Sequence, residues 1–259
     1  MDARGNERSS FRHSSKNSGL KQSRTTQYHS PYVEEKFMAK KSMKVKAYRH
    51  GAKKPSTPDG KPVDALSELG EKQMYAIGEG LKGVHFRIAL VSPKLRTAQS
   101  AALLLGGAED VPDLNIKVCA SLDFEGLMPS LATTNLIATM MALRESMSKA
   151  TVGDLLAVYP EGYGYHVAWR MTVEQMLREI YHEHYELGHF EGDGDEILVI
   201  SHTPVLELAT GNASQAFLPE AAGIEFTYEV DEHEITLVSI EVVPPPTVGE
   251  TEGRGTRSF

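Results

Sequence analysis

The sequence predicts an α/β fold with three layers, in which a mostly parallel central sheet is covered by helices on both faces. Between about residues 43 and 242, short apolar runs typical of buried strands alternate with segments of helical periodicity. Alternation of this kind favours parallel strands joined by helical crossovers. The overall composition, with 41% hydrophobic and 24% charged residues among 259, is that of an ordinary globular chain.

The individual elements follow from local signals. Ser67 can cap a helix whose end is marked by Gly83, and Ser92-Pro93 is suited to opening the next helix. The last two strands flank a polar turn at residues 231–233, so they are expected to form a hairpin. The predicted strands are 45–48, 88–91, 116–119, 197–200, 225–230 and 235–242, and the predicted helices are 67–82, 92–105, 134–147, 167–187 and 205–211.

Charge divides the chain into unlike parts. The formal net charge is −8, yet residues 1–46 contain 11 Lys/Arg and only 4 Asp/Glu. We expect residues 1–42 to be a basic, disordered tail, residues 43–242 to be a folded domain, and residues 243–259 to be a flexible tail. We expect no nucleic-acid partner, although the basic tail leaves this possibility open.

Composition also excludes several classes of protein. No run approaches the roughly 18 uncharged apolar residues of a membrane-spanning helix, and the first residues lack the apolar core of a secretory signal. A single cysteine, Cys119, cannot form an internal disulfide and is typical of a reducing compartment. We therefore expect a cytoplasmic protein with no membrane partner, and the oligomeric state stays open.

Polar residues follow three of the predicted strands at the point where each strand ends. They are Arg49-His50-Gly51, the segment 92–97, and Ser201-His202-Thr203-Pro204. In an open α/β sheet, ligands bind beyond the carboxyl ends of the strands. Two histidines and two arginines at one such edge suit a phosphate dianion, because the arginine fork matches phosphate oxygens.

The residues of these segments and their order along the chain resemble the motifs of the histidine phosphatase superfamily, which has a phosphoglycerate mutase-like fold. The shared motifs are Arg49-His50-Gly51, the stretch Ser-Pro-Lys-Leu-Arg-Thr-Ala-Gln at 92–99, and Ser201-His202. The stretch 66–73, Leu-Ser-Glu-Leu-Gly-Glu-Lys-Gln, is similar to a helix start of the same family. The resemblance covers residues 45 to roughly 240.

The resemblance implies a role for each matching residue. His50 would be the nucleophile and would carry a covalent phosphohistidine, which divides one difficult displacement into two easier ones. Arg49, Arg96 and His202 would bind the phosphate and neutralise its oxygens. No metal and no cofactor are expected.

Two carboxylates are candidates for the proton donor. The family places an acidic residue after the third strand, and here Asp123 is the first choice and Glu125 the second. We expect a metal-independent phosphatase acting on phosphomonoesters or on protein phosphohistidine, so its partner would be a phosphorylated small molecule or a phosphoprotein. Two alternatives are a mutase-type phosphotransferase and a non-catalytic module that binds a phosphorylated ligand.

Residues outside the motifs would decide which substrate is used. An aromatic cluster at Tyr163, Tyr165, His166 and Trp169 is expected either in the walls of the substrate pocket or in a core or interface. Lys53, Lys54 and Lys94 would contact a polyanionic substrate or remain solvated.

Overall fold

The computed structural model describes residues 40–109, 115–123, 138–139, 142–143, 150–187 and 195–248. Within these ranges, no helix is both long enough and apolar enough to cross a membrane.

In the part of the chain that the structure describes, six strands form one mixed sheet, with the spatial order β3-β2-β4-β1-β5-β6. The strands are β1 (Lys41–Arg49), β2 (His85–Val91), β3 (Asn115–Val118), β4 (Asp195–Ser201), β5 (Gly223–Val230) and β6 (Ile235–Val243). The pairs β3–β2, β2–β4 and β4–β1 are parallel, whereas β5 runs antiparallel to both β1 and β6. The predicted mostly parallel sheet and the terminal hairpin are confirmed.

The first strand is longer than the sequence indicated. It begins at Lys41, four residues before the expected start at Val45, and its residue Met43 is buried. Lys46 is buried too, and its ammonium group forms ion pairs with Glu225 and Glu196 of the two neighbouring strands. The start of this strand could not be predicted from the sequence, because its lysines resemble exposed residues. The carboxylates that pair with Lys46 lie on other strands and are brought to it only when the sheet forms.

Among the described residues, five α-helices with both ends described accompany the sheet: α1 (Glu68–Gly80), α2 (Leu95–Ala108), α3 (Val152–Val158), α4 (Tyr163–Leu187) and α5 (Val205–Ala209). The cap predicted for α1 is confirmed, because Ser67 Oγ accepts a hydrogen bond from the Gly70 amide at 3.2 Å. The helix expected at 134–147 lies mostly outside the described residues. Within that range only 138–139 and 142–143 are described, and these four residues are helical. α3 was not predicted, and α4 begins four residues earlier than expected.

Helices cover both faces of the sheet, as the predicted three layers require. On one face, Met74 of α1 and Leu104 of α2 share a core with Leu198 of β4. On the other face, the core includes Trp169 of α4 and Leu206 of α5. Burial of these apolar side chains is the main stabilising contribution in a fold of this kind.

The sheet register brings the three motif segments together. Arg49 at the end of β1 pairs with Ser201 of β4, and Val91 at the end of β2 pairs with Ile200. The residues that follow these strands therefore leave the sheet side by side at one edge. Such an edge, at the carboxyl ends of parallel strands, is where an α/β fold places a ligand site.

Candidate active site

His50 lies at the centre of this edge and is 4% exposed. Its Nδ1 is 2.8 Å from the carbonyl oxygen of Gly51. A carbonyl can only accept, so Nδ1 carries the proton and Nε2 keeps its lone pair. Burial lowers the pKa of His50 to about 3, and the positive charges of Arg96 and Arg49 act in the same direction. His50 is therefore a neutral imidazole at physiological pH.

The turn after His50 is held by close backbone contacts. A Cβ atom at Gly51 would lie 2.5 Å from the Gly70 carbonyl oxygen, and one at Gly70 would lie 2.1 Å from the Ala52 carbonyl oxygen. The Gly51 amide also donates to Ser100 Oγ at 3.2 Å. A side chain at Gly51 or Gly70 would therefore overlap the backbone, because the turn after His50 packs directly against the start of α1.

His202 stands next to His50, with ring centroids 5.1 Å apart and an angle of 60° between the ring planes. Its Nδ1 is 3.2 Å from Arg96 Nη2, and its Nε2 is 2.6 Å from Ser92 Oγ. A guanidinium only donates, so Nδ1 accepts and the ring proton is on Nε2, which donates to the serine hydroxyl. Burial, followed by the His50 and Arg96 interactions, holds the pKa of His202 well below its usual value.

Arg96 is oriented by a residue that the sequence analysis missed. Asp64 Oδ1 accepts from Arg96 Nη1 at 2.5 Å, and Asp64 Oδ2 accepts from the Leu95 amide at 2.9 Å. Burial opposes ionisation of Asp64, but the Leu95 amide and the Arg96 charge outweigh it and lower the pKa of the carboxyl. The only sequence signal was its place two residues before Leu66, where the family-like helix start begins.

Arg49 is anchored on the opposite side of the site. Its Nη1 donates to the Leu218 carbonyl oxygen at 2.6 Å, and its Nη2 is 3.9 Å from Glu220 Oε1. The Arg49 amide also donates to the Ala222 carbonyl at 2.9 Å. The segment that connects α5 to β5 therefore fixes this guanidinium beside His50.

Asp123, the first choice for the proton donor, lies in the site and is 1% exposed. Its Oδ2 is 3.3 Å from Lys94 Nζ, and its Oδ1 is 3.9 Å from His202 Nε2. The preceding carbonyl, that of Leu122, accepts from Ser201 Oγ at 2.7 Å, which ties this segment to the end of β4. Glu125, the second choice, lies outside the described residues.

The other sequence candidates are distributed differently. Trp169 and Tyr165 were expected either in the walls of the pocket or in a core or interface. Both are buried in hydrophobic clusters and therefore belong to the core. Tyr163 is exposed, and His166 Nδ1 is 3.1 Å from the Ala209 carbonyl oxygen. Lys53 is exposed, and its charge contributes to lowering the pKa of His50, which indicates that it lies near the mouth of the site.

Across the described ranges, no group of three or more His, Cys, Asp or Glu side chains is arranged to hold a metal ion.

Residues 47–123 match the model of the histidine phosphatase superfamily, branch 1. This segment carries His50, Arg96 and Asp123, and the resemblance noted in the sequence is confirmed by the match. The similarity of this α/β chain to the histidine phosphatase superfamily is thus established over residues 47–123. A comparison with curated proteins gives no match.

Several solved structures are similar to this chain. A phosphoglycerate mutase from Bacillus anthracis is 16% identical, with a TM-score of 0.49 over 77% of this chain and 93% of that one. A mycobacterial glucosyl-3-phosphoglycerate phosphatase is 15% identical, with a TM-score of 0.47 over 79% of this chain and 100% of that one. The protein histidine phosphatase SixA, complexed with tungstate, is 17% identical, with a TM-score of 0.40 over 76% and 96%.

Proposed function

We propose that the protein is a metal-independent phosphatase that hydrolyses phosphomonoesters, or phosphohistidine on a protein, through a phosphohistidine intermediate on His50. The observation that carries the proposal is the state of the His50 ring. Its Nδ1 proton is donated to the Gly51 carbonyl, and burial keeps the ring neutral, so Nε2 offers a lone pair to an incoming phosphorus.

The surroundings of His50 suit a phosphoryl group. Arg49 and Arg96 bring two permanent positive charges to its neighbourhood, and both act on its pKa. Arg96 Nε is buried and has no acceptor among the described residues, so a phosphate oxygen would satisfy it. Fixed cations of this kind stabilise the charge on the equatorial oxygens during transfer.

The reaction would take place in two displacements. In the first, His50 Nε2 forms a bond to phosphorus while the bond from phosphorus to the leaving oxygen breaks, and that oxygen takes a proton from a carboxyl group. In the second, water attacks the phosphorus, the phosphorus–nitrogen bond breaks, and the water proton passes to the same carboxylate. Asp123 is the described carboxyl closest to this role, because it is buried beside His202 and Lys94.

The experiment is intact-protein mass spectrometry after brief reaction with a reactive aryl phosphate and a denaturing quench at alkaline pH. We compare wild type with His50→Asn, in which the amide can still donate to the Gly51 carbonyl. His233→Asn is the matched control, because His233 is exposed in the β5–β6 turn. A chelator is included in a parallel reaction.

We expect a phosphate adduct in wild type and in the His233 variant, with turnover unaffected by the chelator. His50→Asn should show neither adduct nor turnover. Equal turnover in wild type and His50→Asn would remove His50 as the nucleophile. Transfer of the phosphate to an added acceptor in place of release to water would show a mutase.

A further inference from the structure

Glu207 is a buried carboxyl group behind the candidate site that the proposed chemistry does not use. It lies on α5 and its relative exposure is 0%. Its Oε1 accepts two hydrogen bonds, from Thr203 Oγ1 at 2.8 Å and from the Leu218 amide at 2.7 Å. Its Oε2 is also buried and has no hydrogen-bond partner among the described residues.

A carboxyl group is a costly choice at this position. Moving it from water into the interior is unfavourable unless its hydrogen bonds are replaced, and here one oxygen lacks a replacement. Burial accordingly raises the pKa of Glu207. Its neighbours on the same helix, Leu206 and Leu208, are buried apolar residues, so packing alone would be met by an apolar side chain.

Glu207 Oε1 binds the Thr203 hydroxyl and the Leu218 amide, and these two residues are next to different residues of the site. Thr203 directly follows His202 in the chain. Leu218 presents its carbonyl oxygen to Arg49 Nη1 at 2.6 Å. The same peptide segment therefore connects Glu207, through the Leu218 residue, to the guanidinium beside His50.

We propose that Glu207 is a positioning residue for oxyanion binding, which fixes Leu218 and Thr203 so that Arg49 is held beside His50. The inference rests on the proposed function, in that Arg49 is taken as a phosphate ligand. Without the acceptor at position 207, the Leu218 amide loses its hydrogen bond to α5, and the Leu218 carbonyl that holds the Arg49 fork is fixed less firmly. Glu220, whose Oε1 is 3.9 Å from Arg49 Nη2, then competes for the guanidinium.

The test compares two substitutions of similar size. Glu207→Gln keeps an amide oxygen that can accept from Thr203 and Leu218, whereas Glu207→Met has a similar length and no such acceptor. The probe is orthovanadate, an analogue of the phosphoryl group, and its dissociation constant is measured by calorimetry on the full chain. We expect Glu207→Gln to bind within about threefold of wild type and Glu207→Met to bind about tenfold more weakly or worse, because buried donors are left unsatisfied.

A double-mutant cycle with Arg49→Gln separates positioning from general damage to the fold. If Glu207 acts through Arg49, adding Glu207→Met to Arg49→Gln should weaken binding by less than about twofold. A structural role alone would give the same tenfold loss in both backgrounds. If Glu207→Met fails to fold, Thr203→Val takes its place, since it removes one of the two donors without changing the size of the side chain.

The outcomes distinguish this inference from the proposed function. Three results would each overturn the role of Glu207. They are wild-type vanadate affinity in Glu207→Met, equal losses of affinity in the Gln and Met variants, and additive losses of affinity in the double-mutant cycle. Turnover by wild type tests the phosphatase independently: vanadate binding without turnover would refute the phosphatase and leave the role of Glu207 to be decided by the affinities. Absence of vanadate binding in wild type would overturn the inference as well, because there would be no bound oxyanion to position.

Discussion

Burial of His50 should make the protein sensitive to acid, and the effect can be calculated from the site. Lowering the pH protonates the ring readily in the unfolded chain, where the pKa is near 6.5, but not in the native protein, where the pKa is about 3. Between these values the unfolded chain binds more protons than the native one, so stability falls as the pH falls. The contribution is fully present above pH 6.5.

The magnitude follows from the two pKa values. Between pH 8 and pH 5, His50 alone should remove about 2 kcal/mol from the free energy of unfolding, and the loss should reach roughly 4 kcal/mol at pH 3. The ring is 4% exposed, so solvent screening does little to reduce this effect.

The assay is urea unfolding at pH 8 and pH 5, in buffers free of phosphate so that no oxyanion occupies the site. Wild type is compared with His50→Asn, and His233→Asn again serves as the exposed control. Wild type should lose about 2 kcal/mol more than His50→Asn, or about 1 M in the urea midpoint for a typical slope. Losses that agree within about 0.5 kcal/mol would refute the assignment of His50 as a buried, neutral ring.

Three further substitutions test other parts of the site. Asp123→Asn should lower kcat/KM for alkyl phosphates by about 10²-fold or more and leave aryl phosphates nearly unchanged, because only the poor leaving group needs a proton; equal losses in steady-state kinetics would exclude Asp123 as the acid. Asp64→Asn should weaken orthovanadate binding about tenfold, as measured by calorimetry, because it removes the charge that orients Arg96, the proposed phosphate ligand; unchanged affinity would contradict this. Gly70→Ala should destabilise the protein by about 1–3 kcal/mol in urea unfolding because its Cβ would meet the Ala52 carbonyl, whereas Gly80→Ala, which meets nothing within 4 Å, should not; the reverse order would refute the close contact.

The parts of the site that could be predicted are those with signals in adjacent residues. Strand ends are visible because an apolar run stops at a polar group, as at Arg49-His50 and Ser201-His202. The family-like motifs then added Arg96 and the segment of Asp123, and the structure places all of these at one edge of the sheet.

The supporting carboxylates could not be found in this way. The partners of Asp64 are 31 and 32 residues away, and those of Glu207 are 4 and 11 residues away. Apart from the place of Asp64 just before the family-like helix start, their immediate sequence does not separate them from the solvated carboxylates elsewhere in the chain. Their importance depends on which donors the tertiary structure brings to them. The same holds for Lys46, whose burial is explained only by Glu225 and Glu196 on neighbouring strands.

The position of β1 in the sheet has a consequence for how the protein is made. β1 is the first of the described strands to leave the ribosome, yet its two partners, β4 and β5, begin at residues 195 and 223. At about 5–20 residues per second, the nascent β1 waits on the order of 7–30 s for β4 to be synthesised. During that interval β1 has no strand partner, and the proposed site is incomplete because His202 has not yet been synthesised.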